Sequence, residues 1–455
     1  MAGTFWMGSG AGFSGDRIDA PLAVVDALIS SGHPGAIMFE TLGERTLALG
    51  HVARRKDPAS GYEPALAELV GPILVRCAEH GIPIVGNFGA ANPIAAARLI
   101  QGLAKQRGLP ALRIAIVEGD DIRDTIALDR LEVWEGDTGL SQAPREMIAA
   151  NVYLGARQIA QALGEGAQVV VTGRVADPAL ALGPLVAHFG WAWDDWDRLA
   201  AGTMVGHLLE CGAQVTGGYF GDPGYKDVPS PATIGFPIAE VDADGVAVIA
   251  KPAGTGGLVS ERTIKEQLLY EVHDPKAYLT PDVVLDLSGV EVRRIGPDRV
   301  QVRGARGHPK PPTLKATVSF PGDWLGEAEI SYAGPNAVAR ASVAAQTIAQ
   351  RLELRGLAVR SRLDLIGVAS VFDSDQGDLQ TSAESSCSDV RMRLAVSADD
   401  RSAVDQSLQE VLALYCCGPA GGGGVRSRVE NRIRTVSYLV PREAVSPGVS
   451  FLEPA

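Results

Sequence analysis

Five short apolar runs in the first 190 residues each end in side chains that can move protons or hold charge. The run at 3–8 is followed by Ser14, Asp16 and Arg17, and the run at 35–39 by Glu40, Thr41 and Glu44. The run at 82–87 ends in Asn87, with Asn92 close behind. The run at 112–119 leads into Glu118, Asp120 and Asp121, and that at 167–173 into Thr172, Arg174 and Asp177. Paired carboxylates suit general acid–base work, and a guanidinium can hold a carboxylate or a developing oxyanion. Asp16, Arg17, Glu40, Asp120, Arg174 and Asp177 are therefore the catalytic candidates. Gly12, Asn87, Asn92, Asp121 and Thr172 are candidates for ligand binding. The competing reading is that the acids are helix caps, as Asp177 before Pro178 would suit. Loops at strand ends lie outside a core, so removing charge at Asp120, Arg174 or Asp177 is expected to leave the fold intact.

Other clusters offer other chemistry. Gly10, Gly12 and Gly15 follow the first run in G-x-G-x-x-G spacing, with Glu40 where a dinucleotide site places its ribose-binding acid. Asp16 and Arg17 interrupt that pattern, so a loop shaped for another ligand and a purely structural turn stay open beside it. His207, Glu210 and Cys211 share one face of a helix, which suits a divalent metal or a buried structural end. Lys251 precedes the turn Gly254, Thr255, Gly256 and Gly257, whose backbone N–H groups could cradle an anion. Arg426 follows four consecutive glycines in a second such candidate.

The elements that must position these residues alternate strand and helix over residues 1–195. The runs are continuously apolar, as strands covered by helices on both faces are. The fold class expected is α/β: a parallel-sheet, Rossmann-like domain over 1–195, followed by an α+β domain over 196–455 with Gly-rich loops. Helices are predicted at 62–79 and 144–164, among others, and the chain after 440 reads as an apolar tail able to dock on a partner.

With 455 residues, 46% hydrophobic and 21% charged, the chain can bury more than one core without a metal or disulfide staple. Its net charge of −13 argues against nucleic acid or anionic lipid as the main partner. The five cysteines form no C-x-x-C, and no signal peptide or uncharged apolar span occurs. The expected setting is soluble and cytoplasmic, with a small-molecule substrate.

The strings GDRIDAP, EGDDI, TGRVADPALALGPL, AGTMVGHLLECGAQVTGG, IGFPIAEV, KPAGTGGLVS and GPAGGGGVRSR resemble the acyclic terpene utilisation (AtuA) family over residues 9–440. The resemblance implies a place in citronellol and geraniol breakdown, where branched acids are handled as coenzyme A thioesters. It implies no named catalytic residue. Longer members are similar to this chain with a further ferredoxin-like domain, which implies a small ferredoxin-like companion subunit and a homo-oligomer. The function expected is C–C cleavage or hydration of an acyl-CoA or branched carboxylic acid, with coenzyme A as part of the substrate. A nicotinamide-dependent oxidoreductase and a non-catalytic scaffold of an acyl-CoA complex are the alternatives.

Overall fold

The computed structural model describes residues 3–125, 127, 131–136, 146–379 and 387–453. The apolar runs form strands buried but for Trp6 and Glu118: β1 (Phe5–Ala11), β2 (Gly35–Phe39), β3 (Ile84–Gly86) and β4 (Ile114–Glu118). β5 (Glu132–Glu135), β6 (Ala149–Val152) and β7 (Val169–Thr172) follow. Between them stand α1 (Ala20–Ser31), α2 (Glu44–Lys56), α3 (Leu66–Val70), α4 (Leu74–Glu79), α5 (Pro93–Gln106) and α6 (Arg157–Gly164). Then come α7 (Ala179–Phe189) and α8 (Trp196–Glu210).

β1, β2, β3, β7 and β4 lie side by side in that order, all parallel. This corrects the Rossmann-like expectation. A Rossmann sheet runs 3-2-1-4-5-6, whereas here the first three strands lie in sequence and β7 inserts between β3 and β4. The chain then extends the same sheet with antiparallel strands. β8 (Ile238–Val241) pairs with β1, and β9 (Ala247–Ala250) pairs with β8. After α9 (Glu261–Leu269) come β10 (Tyr278–Leu279) and β11 (Val284–Asp286). β12 (Glu291–Gly296) and β13 (Arg299–Arg303) complete this edge of a ten-stranded sheet. Side chains of α1, α3 and α5, among them Val25, Leu28, Leu69 and Ile100, pack on Ile37, Phe39, Ile84, Ile116 and Val171 in one core.

β14 (Arg306–His308) precedes the long β15 (Thr313–Ala333). α10 (Ala337–Leu354), β16 (Arg360–Ile366), β17 (Asp389–Ala398) and α11 (Arg401–Cys417) follow, then β18 (Gly423–Pro441) and β19 (Gly448–Phe451). Residues 320–434 form a separate compact unit, and 1–319 with 435–455 form the other. The compact units therefore divide elsewhere than at 195/196: β8, β9, β12 and β13 belong to the first sheet. In the second unit, Ala341 and Ile348 of α10 and Val404 and Val411 of α11 pack on Ile330, Tyr332, Met392 and Leu394. No helix among the described residues is long and apolar enough to cross a membrane.

Three local expectations are corrected. The helix at 62–79 breaks into α3 and α4 at Gly71-Pro72, because proline has no N–H to donate and its ring clashes with the preceding turn. The helix at 144–164 is α6 alone. Ala149–Val152 is instead a strand, paired with residues 316–319 of β15, a partner that local periodicity does not show. The apolar tail is β19, which pairs antiparallel with β4 and seats Phe451 under Arg113, 4.9 Å from the guanidinium carbon. Its apolar residues dock on the chain's own sheet.

Candidate active site at the strand ends

Backbone hydrogen bonds tie the C-terminal ends of the parallel strands together. The Glu40 N–H donates to Ala11 O (3.1 Å), Asn87 N–H to Phe39 O (3.3 Å) and Gly89 N–H to Thr172 O (3.1 Å). In open α/β sheets this edge is where ligands bind.

Glu40 leaves the end of β2 and is 8% exposed. Its Oε1 accepts from Leu42 N–H (2.7 Å) and Asn87 Nδ2 (3.0 Å). Asn87 is oriented in turn by Thr41, whose N–H donates to Asn87 Oδ1 at 2.8 Å. No described residue bonds Glu40 Oε2. Burial, and then the nearby Asp177 charge, push Glu40 up to about 8, against the pull of Arg174.

Arg174 follows β7 and is 1% exposed. Its Nε donates to Val175 O (2.8 Å), and its terminal nitrogens donate to Val175 O, Leu42 O and the Asp177 carboxylate. Its guanidinium lies over the Tyr153 ring at 4.5 Å. Lys315, from β15, approaches that ring at 5.2 Å. The Tyr153 hydroxyl donates to Glu44 at 2.5 Å, and Lys315 Nζ stands 3.5 Å from the same carboxylate. Burial tends to raise Glu44, but Tyr153, Lys315 and Arg174 hold it below its ordinary value. Asp177 is raised by burial and by Glu44 and Glu271, although Arg174 opposes them.

Behind this group runs a buried polar chain. His51 Nε2–H donates to Asn151 Oδ1 (2.9 Å), and Asn151 Nδ2 donates to Asp120 Oδ2 (2.8 Å). That oxygen also accepts the Arg174 N–H at 2.8 Å. Burial raises Asp120 to about 6 and lowers His51 to about 4. Asp120 thus fixes the β7 turn from beneath. A Cβ on Gly173 would meet its carboxylate at 2.6 Å.

The end of α8 adds a third carboxylate. His207 Nδ1–H donates to Glu210 Oε1 at 2.8 Å, and both are buried. Burial lifts Glu210 to about 7, and Asp177 and Glu271 add to the rise while His207 opposes it. Asp177 is therefore felt by Glu40 on one side and by Glu210 on the other. Glu271, just past α9, holds a left-handed backbone at φ 57°, a strained state for glutamate. His207 and Glu210 bond each other, and among the described residues no three His, Cys, Asp or Glu side chains gather to hold a metal.

The remaining candidates fall elsewhere. Asp16 Oδ2 accepts from Gly12 N–H and Oδ1 from Arg17 N–H, both at 2.8 Å, so it shapes the first loop. Arg17 is taken by Asp19 and by Ile234 O (2.9 Å). Neither Arg17 nor Arg174 is a free cation: each holds a carboxylate of this chain, Asp19 and Asp177 respectively. Asn92 caps α5, accepting from Ala95 N–H, and donates to Pro58 O and Ser60 O. Thr172 bonds Gly173 O, and Asp121 pairs with Arg123 at 2.6 Å. In the Lys251 loop, the N–H groups of Thr255, Gly256 and Gly257 donate to Pro252, Thr233 and Pro229 carbonyls. Lys251 itself bonds Thr255 O (2.8 Å) and pairs with Asp298 (3.3 Å). Gly254 and Gly257 hold positive φ, so this turn is closed on itself, with those donors spent. Arg426 lies on β18 in the second unit.

The glycines of the first loop are required by packing. A Cβ on Gly10 would lie 2.5 Å from the Phe39 ring, and one on Gly12 would lie 2.3 Å from the Cys211–Gly212 backbone. Gly12→Ala should therefore cost about 2 kcal/mol or more by displacing the end of α8. A urea titration reads this. Unchanged stability would show that the loop has room for a ligand at Gly12.

The motifs did not reveal His51, Asn151, Tyr153 and Lys315. Tyr153 and Asn151 fall within the helix expected at 144–164, and Lys315 reaches the site through a strand pairing.

Among curated proteins none matches this chain. Among solved structures, a de novo designed protein, Foldit4, covers 24% of this chain and 98% of its own at 11% identity. Its TM-score of 0.18 carries no argument. A sequence model described as acyclic terpene utilisation family protein AtuA matches residues 5–451, and the chain belongs to that family.

Proposed function

We propose that this chain is an enzyme of branched-chain or terpenoid acid breakdown. Its substrate is a branched carboxylic acid or its coenzyme A thioester, and its reaction is hydration or C–C cleavage at a 3-hydroxyacyl unit. The family supports the metabolic setting. The observation that carries the chemistry is the raised trio of carboxyls, Glu40, Asp177 and Glu210, at the strand-end edge. Groups with pKa values near the working pH transfer protons best.

The roles follow from environment. Glu40, at about 8, holds its proton at neutral pH, and Oε2 has no partner to consume it. It is the general acid. Asp177 is ion-paired with Arg174, and its side chain is one-third exposed, so it is the base. In cleavage, Asp177 takes the β-hydroxyl proton. The Cα–Cβ pair passes into the thioester carbonyl, and Glu40 returns a proton to Cα. In hydration, Asp177 takes a proton from water as the oxygen bonds Cβ, and Glu40 protonates Cα. Lys315 is 38% exposed with one loose ion pair, so it is the cation able to meet the developing negative charge.

The test is turnover of branched 3-hydroxyacyl and 2-enoyl coenzyme A thioesters by the purified chain, with products read by mass spectrometry. Turnover that needs Glu40 and Asp177 is expected. A wild-type chain that leaves both thioester classes intact overturns the assignment. Lys315→Met should lower kcat about 10-fold or more, with smaller change in KM, since removing a stabilising charge costs ~1.4 kcal/mol or more. Unaltered kcat would remove Lys315 from the site.

A further inference from the structure

The second unit, read by itself, carries a row of arginines that its own acids do not use up. Its sheet is covered by α10 and α11 on one face, against which Val425 and Val429 of β18 pack. The even-numbered residues of β18 point the other way. These include Arg426, Arg428, Arg432 and Arg434, with Glu430 between the two pairs. The same face holds Arg360 from β16, Arg393 from β17, and Asp323 and Glu327 from β15. Every cation of residues 320–434 is an arginine, since the last lysine of the chain is Lys315.

The pairing on this face is unequal. Asp323 is 3% exposed and accepts from Arg360 through Oδ2 at 2.7 Å. Its Oδ1 has no hydrogen-bond partner. Arg434 and Arg432 stand 3.5 and 3.9 Å from that oxygen without bonding it. Three guanidiniums thus surround one carboxylate. Glu327 is shared by Arg393 and Arg428. Arg426 is exposed and has no hydrogen bond or ion pair among the described residues. Arg426 therefore keeps its fork unused, and Arg432 and Arg434 share with Arg360 a single carboxylate that Arg360 already bonds, so the face keeps a surplus of arginine in a chain of net charge −13.

We propose that this face docks an acidic segment of a separate protein, held in extended conformation along β18. The spacing favours that occupant. Residues 426 and 428 lie two apart, as do 432 and 434, and two residues of strand are ~6.6 Å. Side chains on one face of an extended acidic peptide repeat at the same distance. The four arginines span roughly 26 Å, more than one phosphate can bridge. Guanidinium forks match carboxylates two bonds at a time.

The probe is a fluorescein-labelled peptide of alternating glutamate and serine, titrated by anisotropy against the full chain at low and high salt. Binding that weakens with salt is expected. The triple substitution R426Q/R432Q/R434Q should weaken it about tenfold, since three exposed pairs each contribute up to ~1 kcal/mol. Arg432 and Arg434 stand beside the buried Asp323 while Arg360 still bonds it, so the variant should melt modestly below wild type yet fold. Should the triple variant fail to fold, R426Q alone, which touches no acid, should still weaken binding about two- to fivefold. Three results would overturn the proposal. The first is a peptide that does not bind, or binds both forms equally. The second is a short single-stranded DNA that binds as tightly as the peptide. The third is a salt-sensitive self-association lost in the variant, which would make a second copy of this chain the occupant.

Discussion

Arg174→Met should strongly destabilise the first unit at neutral pH, whatever it does to activity. The guanidinium is buried and holds three groups at once: Leu42 O after β2, Val175 O after β7, and the Asp177 carboxylate. Methionine preserves much of the volume but leaves two carbonyls and a carboxylate without their donor. Breaking a buried pair from one side costs about 3–5 kcal/mol, a large part of the ~5–15 kcal/mol that holds a domain together. Lysine in its place keeps the charge but cannot reach the same acceptors with a planar fork, so Arg174→Lys should recover only part of the loss. A urea unfolding curve gives the result directly. If Arg174→Met unfolds at the wild-type midpoint, the guanidinium is not the tie described here. This outcome replaces the expectation that charge can be removed from Arg174 at no cost to the fold.

Glu40→Gln should reduce kcat by about 10²–10⁴, the usual worth of a positioned acid or base, with melting temperature close to wild type; Asp177→Asn should reduce kcat as much but also lower the melting temperature, because it leaves the buried Arg174 without its carboxylate. Glutamine is nearly the shape of glutamate, and its side-chain oxygen can still accept from Leu42 N–H and Asn87 Nδ2. What it lacks is a proton to give. The pH dependence separates this from a folding effect. Glu40 is raised from 4.5 to about 8, so the folded state holds its proton more firmly than the unfolded state. Its contribution to stability is full below 4.5 and is lost as pH rises through 8. Glu40→Gln should therefore flatten the fall of stability across that window while abolishing turnover. A variant that keeps both its rate and the slope would place the acid elsewhere.

Much of this site can be read from residue order because a parallel strand delivers whatever follows it to one edge. Phe39 ends a buried strand, so Glu40 must stand at its lip, and Thr172 does the same for Arg174 and Asp177. Side-chain bonding is not legible in that way. Nothing in RVADP says that the arginine will turn inward to three acceptors, or in GSGAGFSG that Gly10 and Gly12 are small to admit Phe39 and the end of α8. Turns such as 254–257 look like anion cradles until long-range partners take their N–H groups. Most hidden are residues placed by pairing. Ala149–Val152 lacks the length or β-branching to announce a strand. It is one because residues 316–319 of β15 lie beside it, and that pairing carries Tyr153 and Lys315 to the site.

The place of β19 has a consequence for how the chain comes into being. It borders β4, where Ser450 and Glu118 meet across 332 residues of sequence, and the whole of 320–434 is made in between. Contacts so distant are slow to form. At ~10 residues per second, roughly half a minute of synthesis separates the two strands. Throughout that interval β4 is an open edge of a nascent sheet, able to pair with any other unfinished strand. The first unit can close only once β19 has been made, whereas 320–434 is by then complete and free to fold ahead of it. Expression of this protein should therefore be limited by protection of that edge, and slowing translation should lengthen its exposure rather than help.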